Sequence, residues 1–286
     1  MKFGAPHRHF RLTDSTNARA RELVEAGVPG GTIVTAAEQT AGRGRQGRTW
    51  TAPAGKALLY SAVLRPLDER HLLLPLAVPL AVCEAAEQLQ PGIECTIKWP
   101  NDVWLDGRKL AGVLIEAHMP DQTSGDDVSS QDGWAVIGVG LNLTIAPDEF
   151  PPDLRDKAIS LFDRSAGSRG GVSSGASRSG PGRVAPAAKR HRISPPKAVM
   201  GARRDPPSTP FTTAAVLSRH LARWVEADRE AILAAWRERD ALRGREISWD
   251  GGAGVADGIE DSGDLVVLTA GGDRVVLGAG EVHLRI

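Results

Sequence analysis

The chain has 286 residues, 41% of them hydrophobic and 24% charged, which provides a core for one large domain plus a small one, or for two modest ones. Lys+Arg and Asp+Glu stand at 35 each, so no global field directs the protein to nucleic acid, a membrane surface or an acidic partner. Two cysteines, Cys83 and Cys95, exclude a disulfide scaffold and a four-thiolate zinc site and suit a reducing compartment.

Residues 1–10 are basic but lack an apolar h-region, so they do not read as a signal peptide. Asp14-Ser15-Thr16-Asn17 offers N-cap side chains, and the run to Ala26 predicts a helix closed by Gly27. Residues 32–37 form a β-branched strand, a Gly/Arg loop follows, and residues 57–64 are again strand-like. Residues 71–89 read as a buried helix. Its apolar part is interrupted by Pro75, Pro79 and Glu84 and is shorter than the ~20 residues of a membrane crossing, so a cytoplasmic protein is expected. Short strands follow over residues 96–99, 103–105 and 110–118, the last two joined by a turn at Asp106 and Gly107. An acidic polar loop at 121–132 leads to another strand at 134–143. Strands at hairpin spacing with segregated helices make the class α+β, with a mixed, mainly antiparallel sheet flanked by helices.

Charge neutrality hides an asymmetry. Residues 163–210 hold 10 Lys/Arg against 2 Asp/Glu, and the other 238 residues hold 25 against 33. The same stretch has 7 Gly, 8 Ser, 7 Pro and no aromatic residue. It buries too little apolar surface to offset its ordering entropy, so it is expected to be a disordered insertion. A silent surface loop, a nucleic-acid-binding arm and an artefact of the gene model are all open to it. Residues 214–239 show helical spacing from Leu217 to Trp236, as one long helix or a pair. Five short strands with Gly- or Asp-rich turns over residues 245–286 suggest a small β-barrel of SH3-like size.

Five motifs carry chemistry. Gly42-Arg43-Gly44-Arg45-Gln46-Gly47-Arg48-Thr49-Trp50 alternates glycines, which let backbone approach a ligand, with arginines, which grip phosphate or carboxylate. Such a loop can close over an anionic substrate; an ordinary RG-rich or RNA-contacting segment has the same composition. Lys98-Trp99-Pro100-Asn101-Asp102 places a cation, an amide and a carboxylate together, as a phosphate–Mg²⁺ site needs, or is a plain turn. Lys109 in Gly107-Arg108-Lys109-Leu110-Ala111-Gly112 opens a strand and either faces a cleft or is solvated. In Gly138-Val139-Gly140-Leu141-Asn142, two glycines on one strand face leave room for a flat ligand or mark a bulge. Ser15-Thr16-Asn17 is a helix cap whose hydroxyls can also hold a polar ligand head.

In this order, with Glu38-Gln39-Thr40-Ala41 running into the arginine loop, the set resembles the biotin–protein ligase (biotin–[acetyl-CoA-carboxylase] ligase) family over residues 10–161, and more weakly over the C-terminal strands. The resemblance implies a biotin/lipoate ligase-like fold, related to class II aminoacyl-tRNA synthetase cores, with residues 1–162 and 211–240 as the catalytic domain and 241–286 as the SH3-like domain. It implies ATP-dependent attachment of biotin to a lysine of a biotin carboxyl carrier protein through biotinyl-5′-AMP, with Mg²⁺. It assigns Ser15, Thr16, Asn17 and Gln39 to the biotin ring and ureido group, with Gly138 and Gly140 lining the channel. Arg43, Gly44 and Arg45 order over the biotin carboxylate and phosphate, with Arg45 stabilising charge at the phosphoryl step. Arg48 and Trp50 contact the adenylate, and Asn142 lies on the nucleotide side. Lys98, Asn101 and Asp102 form the phosphate site, Asp102 holding the metal, and Lys109 contacts carboxylate and α-phosphate in both steps.

Only about 14 residues precede the Ser-Thr-Asn motif, so ligase activity without operator binding is expected. A homodimer is compatible with the family, and no residue decides it. The competing enzyme is a lipoate- or octanoate–protein ligase of the same superfamily.

Overall fold

The computed structural model describes residues 1–119, 133–162, 209–278 and 282–284. The acidic loop at 121–132 and nearly all of the 163–210 insertion therefore lie outside the described residues. No helix among the described residues is long and apolar enough to cross a membrane. Met1–Asp163 and Ser208–Ile286 belong to one compact unit.

The elements are β1 (His7–Phe10), α1 (Thr16–Glu25), β2 (Ile33–Ala36), β3 (Ala57–Leu67), α2 (Leu74–Leu89), β4 (Cys95–Lys98), β5 (Asp102–Leu105), β6 (Arg108–His118) and β7 (Gly133–Asn142). After the insertion come α3 (Pro210–Val225), α4 (Arg229–Glu238), β8 (Glu246–Trp249), β9 (Gly252–Ile259), β10 (Leu265–Leu268), β11 (Arg274–Leu277) and β12 (Val282–Leu284). A seven-stranded sheet runs β1-β2-β3-β7-β6-β5-β4, and a five-stranded sheet runs β11-β10-β9-β8-β12. Only the β1–β2 pair is parallel, so the first sheet is mixed and mainly antiparallel, as expected, and the second is wholly antiparallel.

Strand β3 shows how the first sheet divides its two faces. Alternate side chains point to opposite sides of a strand. Leu58, Tyr60, Ala62 and Leu64 join the main core, which also contains α2, α3 and α4 residues such as Val78, Leu217 and Trp236. The Tyr60 hydroxyl meets Ser218 of α3 at 3.0 Å, and burial raises its pKa. On the opposite face Val63 packs with Ala20 and Val24 of α1, Leu59 packs with Ile145 and Phe150, and Ser61 lies between them. Two apolar clusters thus flank a polar gap on one face of the sheet.

Strand β3 runs three residues past the expected 57–64, β6 starts two residues before the expected 110, β1 is not among the expected strands, and two helical segments differ in extent. The buried helix starts at Leu74, because Asp68 caps a short 3₁₀ turn, Glu69–His71, ahead of it. Pro79 is tolerated inside α2. The 214–239 run is a helix pair, and α3 begins at Pro210 behind the Thr209 cap, whose hydroxyl accepts the Thr212 N–H at 3.3 Å. The last two residues of the 163–210 stretch therefore belong to this helix start.

Candidate active site

The register of β3, β7 and β6 builds the floor. Leu59 pairs with Gly140 and Gly140 with Gly112, while Ser61 pairs with Gly138 and Gly138 with Leu114. Paired residues share a sheet face, so the polar gap is floored by three glycines. Each is covered by a specific side chain. A Cβ at Gly138 would lie 2.2 Å from Asn17 Oδ1, and one at Gly140 would lie 2.4 Å from Trp50 Cε2. The room left by the two β7 glycines is thus filled by the Asn17 amide and the Trp50 indole, which also reaches Gly112.

Asn17 and Thr16 come from the first turn of α1, as their motif predicts. Ser15 takes the N-cap position by its extended backbone but makes no side-chain cap; Asp14 instead accepts the Ser15 N–H at 2.7 Å. That bond, with Arg19 and Thr13, holds the Asp14 carboxyl down to about 2. Gln39 Oε1 accepts both the Thr16 N–H (2.7 Å) and the Thr16 hydroxyl (3.0 Å). Ser61 Oγ lies 2.6 Å from Asn17 Oδ1 and 2.8 Å from Thr16 Oγ1. Ser15, Thr16, Asn17 and Ser61 are all buried, so this is a built polar subsite rather than a solvated cap.

The arginine loop is a short hairpin. Arg43 bridges Thr49, the Gly44 N–H donates to the Arg48 carbonyl at 2.7 Å, and the Trp50 N–H donates to Gly42 at 3.0 Å. At its tip Gln46 (φ 55°) and Gly47 (φ 73°) are both left-handed, a turn for which glycine is suited. The closing strand delivers Trp50 onto the glycine floor and leaves Arg43, Arg45 and Arg48 along the cleft rim.

The two lysine motifs meet on the far side. Antiparallel pairing of β5 with β6 sets Asp102 opposite Gly112 and Trp104 opposite Lys109, with a bulge between Val103 and Trp104. Lys109 Nζ reaches Asp102 Oδ1 at 2.7 Å and lies 5.8 Å from the Trp50 ring centroid. Its backbone is clamped: the Lys109 N–H donates to Lys157 at 2.7 Å, and Lys109 accepts from Ile159 at 3.0 Å. Lys98 Nζ stands 5.7 Å from the Trp104 ring. Asn101 Nδ2 donates to the Val113 carbonyl at 2.7 Å and Asn142 Nδ2 to that of Ile159 at 3.1 Å. Edge strand β4 is covered by the chain after α4, with the Ile97 N–H donating to Arg239 (2.7 Å) and Ala241 donating back (2.9 Å).

All of the residues singled out from the sequence line one cleft of about 780 Å³, closed on another side by Phe150, Leu154 and β12 residues including His283. Residues that the motifs do not reveal are Ser61, Glu116, Trp104, Phe150 and the 156–158 segment. Ser61 and Glu116 sit on the strand face shared with Gly138, a placement that only the pairing register reveals. Among the described residues no group of three or more His, Cys, Asp or Glu side chains forms a metal cage.

The geometry has counterparts. Residues 9–125 match the model of the biotin/lipoate A/B protein ligase family. A biotin–[acetyl-CoA-carboxylase] ligase of Mycobacterium tuberculosis is 33% identical over 285 residues, 96% of this chain and 87% of that protein. A bifunctional ligase/repressor of Bacillus subtilis is 38% identical over 156 residues, so the match spans 44% of that longer relative. The structure of a biotin protein ligase from Aquifex aeolicus in complex with biotin and ATP superposes with a TM-score of 0.64 and 25% identity, covering 99% of each chain. A near-full-length relative at this identity shows that the chain belongs to the biotin–[acetyl-CoA-carboxylase] ligase family.

Proposed function

We propose that the cleft activates the carboxylate of biotin with ATP and transfers the biotinyl group to a lysine of a biotin carboxyl carrier protein. The observation that carries the reading is the convergence of Arg43, Arg45, Arg48, Lys98 and Lys109 on one cleft beside a buried neutral polar subsite. Two anions must meet in the first step, and cations aimed at them offset their repulsion. The biotin carboxylate attacks the α-phosphate and pyrophosphate leaves. The carrier amine then attacks the mixed anhydride, AMP leaves, and the amine proton is released.

The neutral subsite of Ser15, Thr16, Asn17, Gln39 and Ser61 suits the uncharged ureido ring, with the Gly138 stretch of floor beneath it. Lys109 stands at the junction with the nucleotide side, where one ammonium serves carboxylate and α-phosphate alike. Its backbone clamp and the Asp102 pair set its position in advance, so little reorganisation is needed at reaction. Arg45 stabilises charge at the phosphoryl step, and Arg48 contacts the adenylate. Trp50, flat on Gly140 and Gly112, faces the adenylate. Its buried indole N–H has no hydrogen-bond partner among the described residues, and a nucleotide acceptor would satisfy it.

Magnesium, arriving on the nucleotide phosphates, would shield their charge when bound. Such an ion asks for only one or two protein carboxylates. Asp102, the cleft carboxylate paired with Lys109, fits that sparse demand, with Asn101 next to it; Asp156 is a second carboxylate along the cleft. The reading extends to the rest of the molecule. We assign residues 1–162 and 211–240 to a catalytic domain related to class II synthetase cores, and 241–286 to an SH3-like domain, supported by its five short antiparallel strands. The two buried free thiols favour a cytoplasmic setting.

The test is transfer of biotin to a purified biotin carboxyl carrier domain, read by streptavidin blot with and without Mg²⁺, beside biotin- and lipoate-dependent pyrophosphate exchange. Mg²⁺-dependent label with biotin-specific exchange is expected. Exchange with lipoate and none with biotin would overturn the assignment in favour of a lipoate ligase.

A further inference from the structure

Glu116 lies on β6, on the cleft face, paired with Val136 and one face-position beyond Leu114. Its carboxylate touches elements far apart in sequence. Oε2 accepts the Asn17 amide N–H at 2.8 Å. Oε1 lies 3.5 Å from Arg43 Nη1 and 4.0 Å from Arg21 Nη1. The Asn17 amide has no rotational freedom left: Nδ2 also reaches the Leu114 carbonyl at 3.4 Å, Oδ1 faces Ser61 at 2.6 Å, and Gly138 sits against it. Glu116 thus carries on one oxygen a residue of the buried subsite and on the other the first arginine of the hairpin.

We propose that Glu116 is a positioning residue that couples the two parts of the site, orienting Asn17 and docking the arginine loop through Arg43. The coupling to substrate rests on the biotin-adenylating reading; the docking of the loop does not. The chemistry is graded for this task. The Asn17 contact is short and partly buried, so it persists. The Arg43 pair is long, and its side chains are 48% and 27% exposed, so it is weak and screenable. A lid must release as well as close, and such a pair allows both.

The test uses the full chain carrying Glu116→Gln, which keeps an acceptor for Asn17 and removes the charge facing Arg43. Without ligands, brief trypsin treatment followed by mass spectrometry reads nicking after Arg43, Arg45 and Arg48. Nicking is expected on the order of threefold faster in the variant at low salt, and equal to wild type at high salt, where the pair is screened. Equal rates at low salt would overturn the docking role. In pyrophosphate exchange the biotin KM should rise about threefold or more with kcat within about twofold; an unchanged KM would overturn the coupling. If Glu116→Gln does not fold, Arg43→Gln leaves the Asn17 contact intact and should speed nicking after Arg45 and Arg48 by the same factor, a wild-type rate again overturning the docking. Should wild type show no biotin-dependent exchange, the functional reading fails, and the ligand-free nicking still decides whether Glu116 docks the loop.

Discussion

Lys109 is held by groups that leave its charge as its main contribution. Its side chain is 35% exposed and its carboxylate partner Asp102 19% exposed, a setting in which an ion pair contributes no more than about 1 kcal/mol. Lys109→Ala is therefore expected to melt within a few degrees of wild type and to lose biotin transfer. A variant retaining more than about a tenth of wild-type kcat/KM, a loss below ~1.4 kcal/mol, would contradict the role assigned to it. Gly140 has the opposite character: it matters through what its lack of a Cβ allows. Gly140→Ala sets a methyl 2.4 Å from the Trp50 ring and should cost about 1–3 kcal/mol by overpacking. In a Trp50→Ala background the same glycine change should cost little, because residues in contact are not additive; thermal melts of wild type, the two single variants and the double variant check it. The chemistry-bearing residues of the cleft were legible because charge and glycine stand out in a sequence. Ser61 and Glu116 were not, because one polar residue in an apolar strand announces its face only when the pairing register is known.

Among the elements, α1 depends most on side chains at its start. Asp14 accepts from Ser15, Thr13 and Arg19, which lowers its carboxyl to about 2 from an ordinary 3.8. A carboxyl depressed in the folded state adds stability above its unfolded pKa, and that stability is lost as pH falls through the folded one. The Tm difference between wild type and Asp14→Asn should therefore be constant from about pH 7 to 5 and close between about pH 4 and 2. A gap that persists at low pH would assign the effect to packing. At α3 the Thr209 hydroxyl caps the Thr212 N–H, and Thr209→Ala should cost about 1 kcal/mol, or ~2–4 °C in Tm, with biotin transfer unchanged. Strong periodicity made α2, α3, α4 and the central strands legible. Strand β1 was not: it is four residues, His-Arg-His-Phe, largely exposed, and its pairing with β2 is parallel and long-range. No local pattern encodes that. Helix α3 starts at Pro210 behind the Thr209 cap, and α2 starts only at Leu74 because Asp68 caps the separate 3₁₀ turn before it; both caps sit among other polar residues and are recognisable only once the turn is seen.

At the scale of the molecule, the outstanding feature is the basic stretch between two parts of one compact unit, Met1–Asp163 and Ser208–Ile286. On one side, residues 157–161 clamp Lys109 and Asn142; on the other, α3 packs Leu217 and Leu221 into the core. Both sets of contacts are made among the described residues, and the composition of residues 164–207 is that of an insertion rather than a core segment. Closing a flexible loop costs only about 0.6 kcal/mol more for each doubling of length. Replacing residues 164–207 with a Gly/Ser linker of about ten residues, roughly two doublings shorter, should therefore raise stability by on the order of 1 kcal/mol. Because none of the described cleft residues is removed, biotin transfer should stay within about threefold of wild type. Thermal melts and carrier labelling of the shortened chain read both quantities. A severe loss of activity or solubility would make the stretch structural. Loss of a salt-sensitive DNA or RNA affinity, present in the full chain and absent from the shortened one, would make it a nucleic-acid-binding arm, since a cluster of basic side chains binds phosphates through counterion release. Stability alone separates the silent loop from the structural one: a silent loop predicts a higher Tm on removal, and a packed segment predicts a lower one.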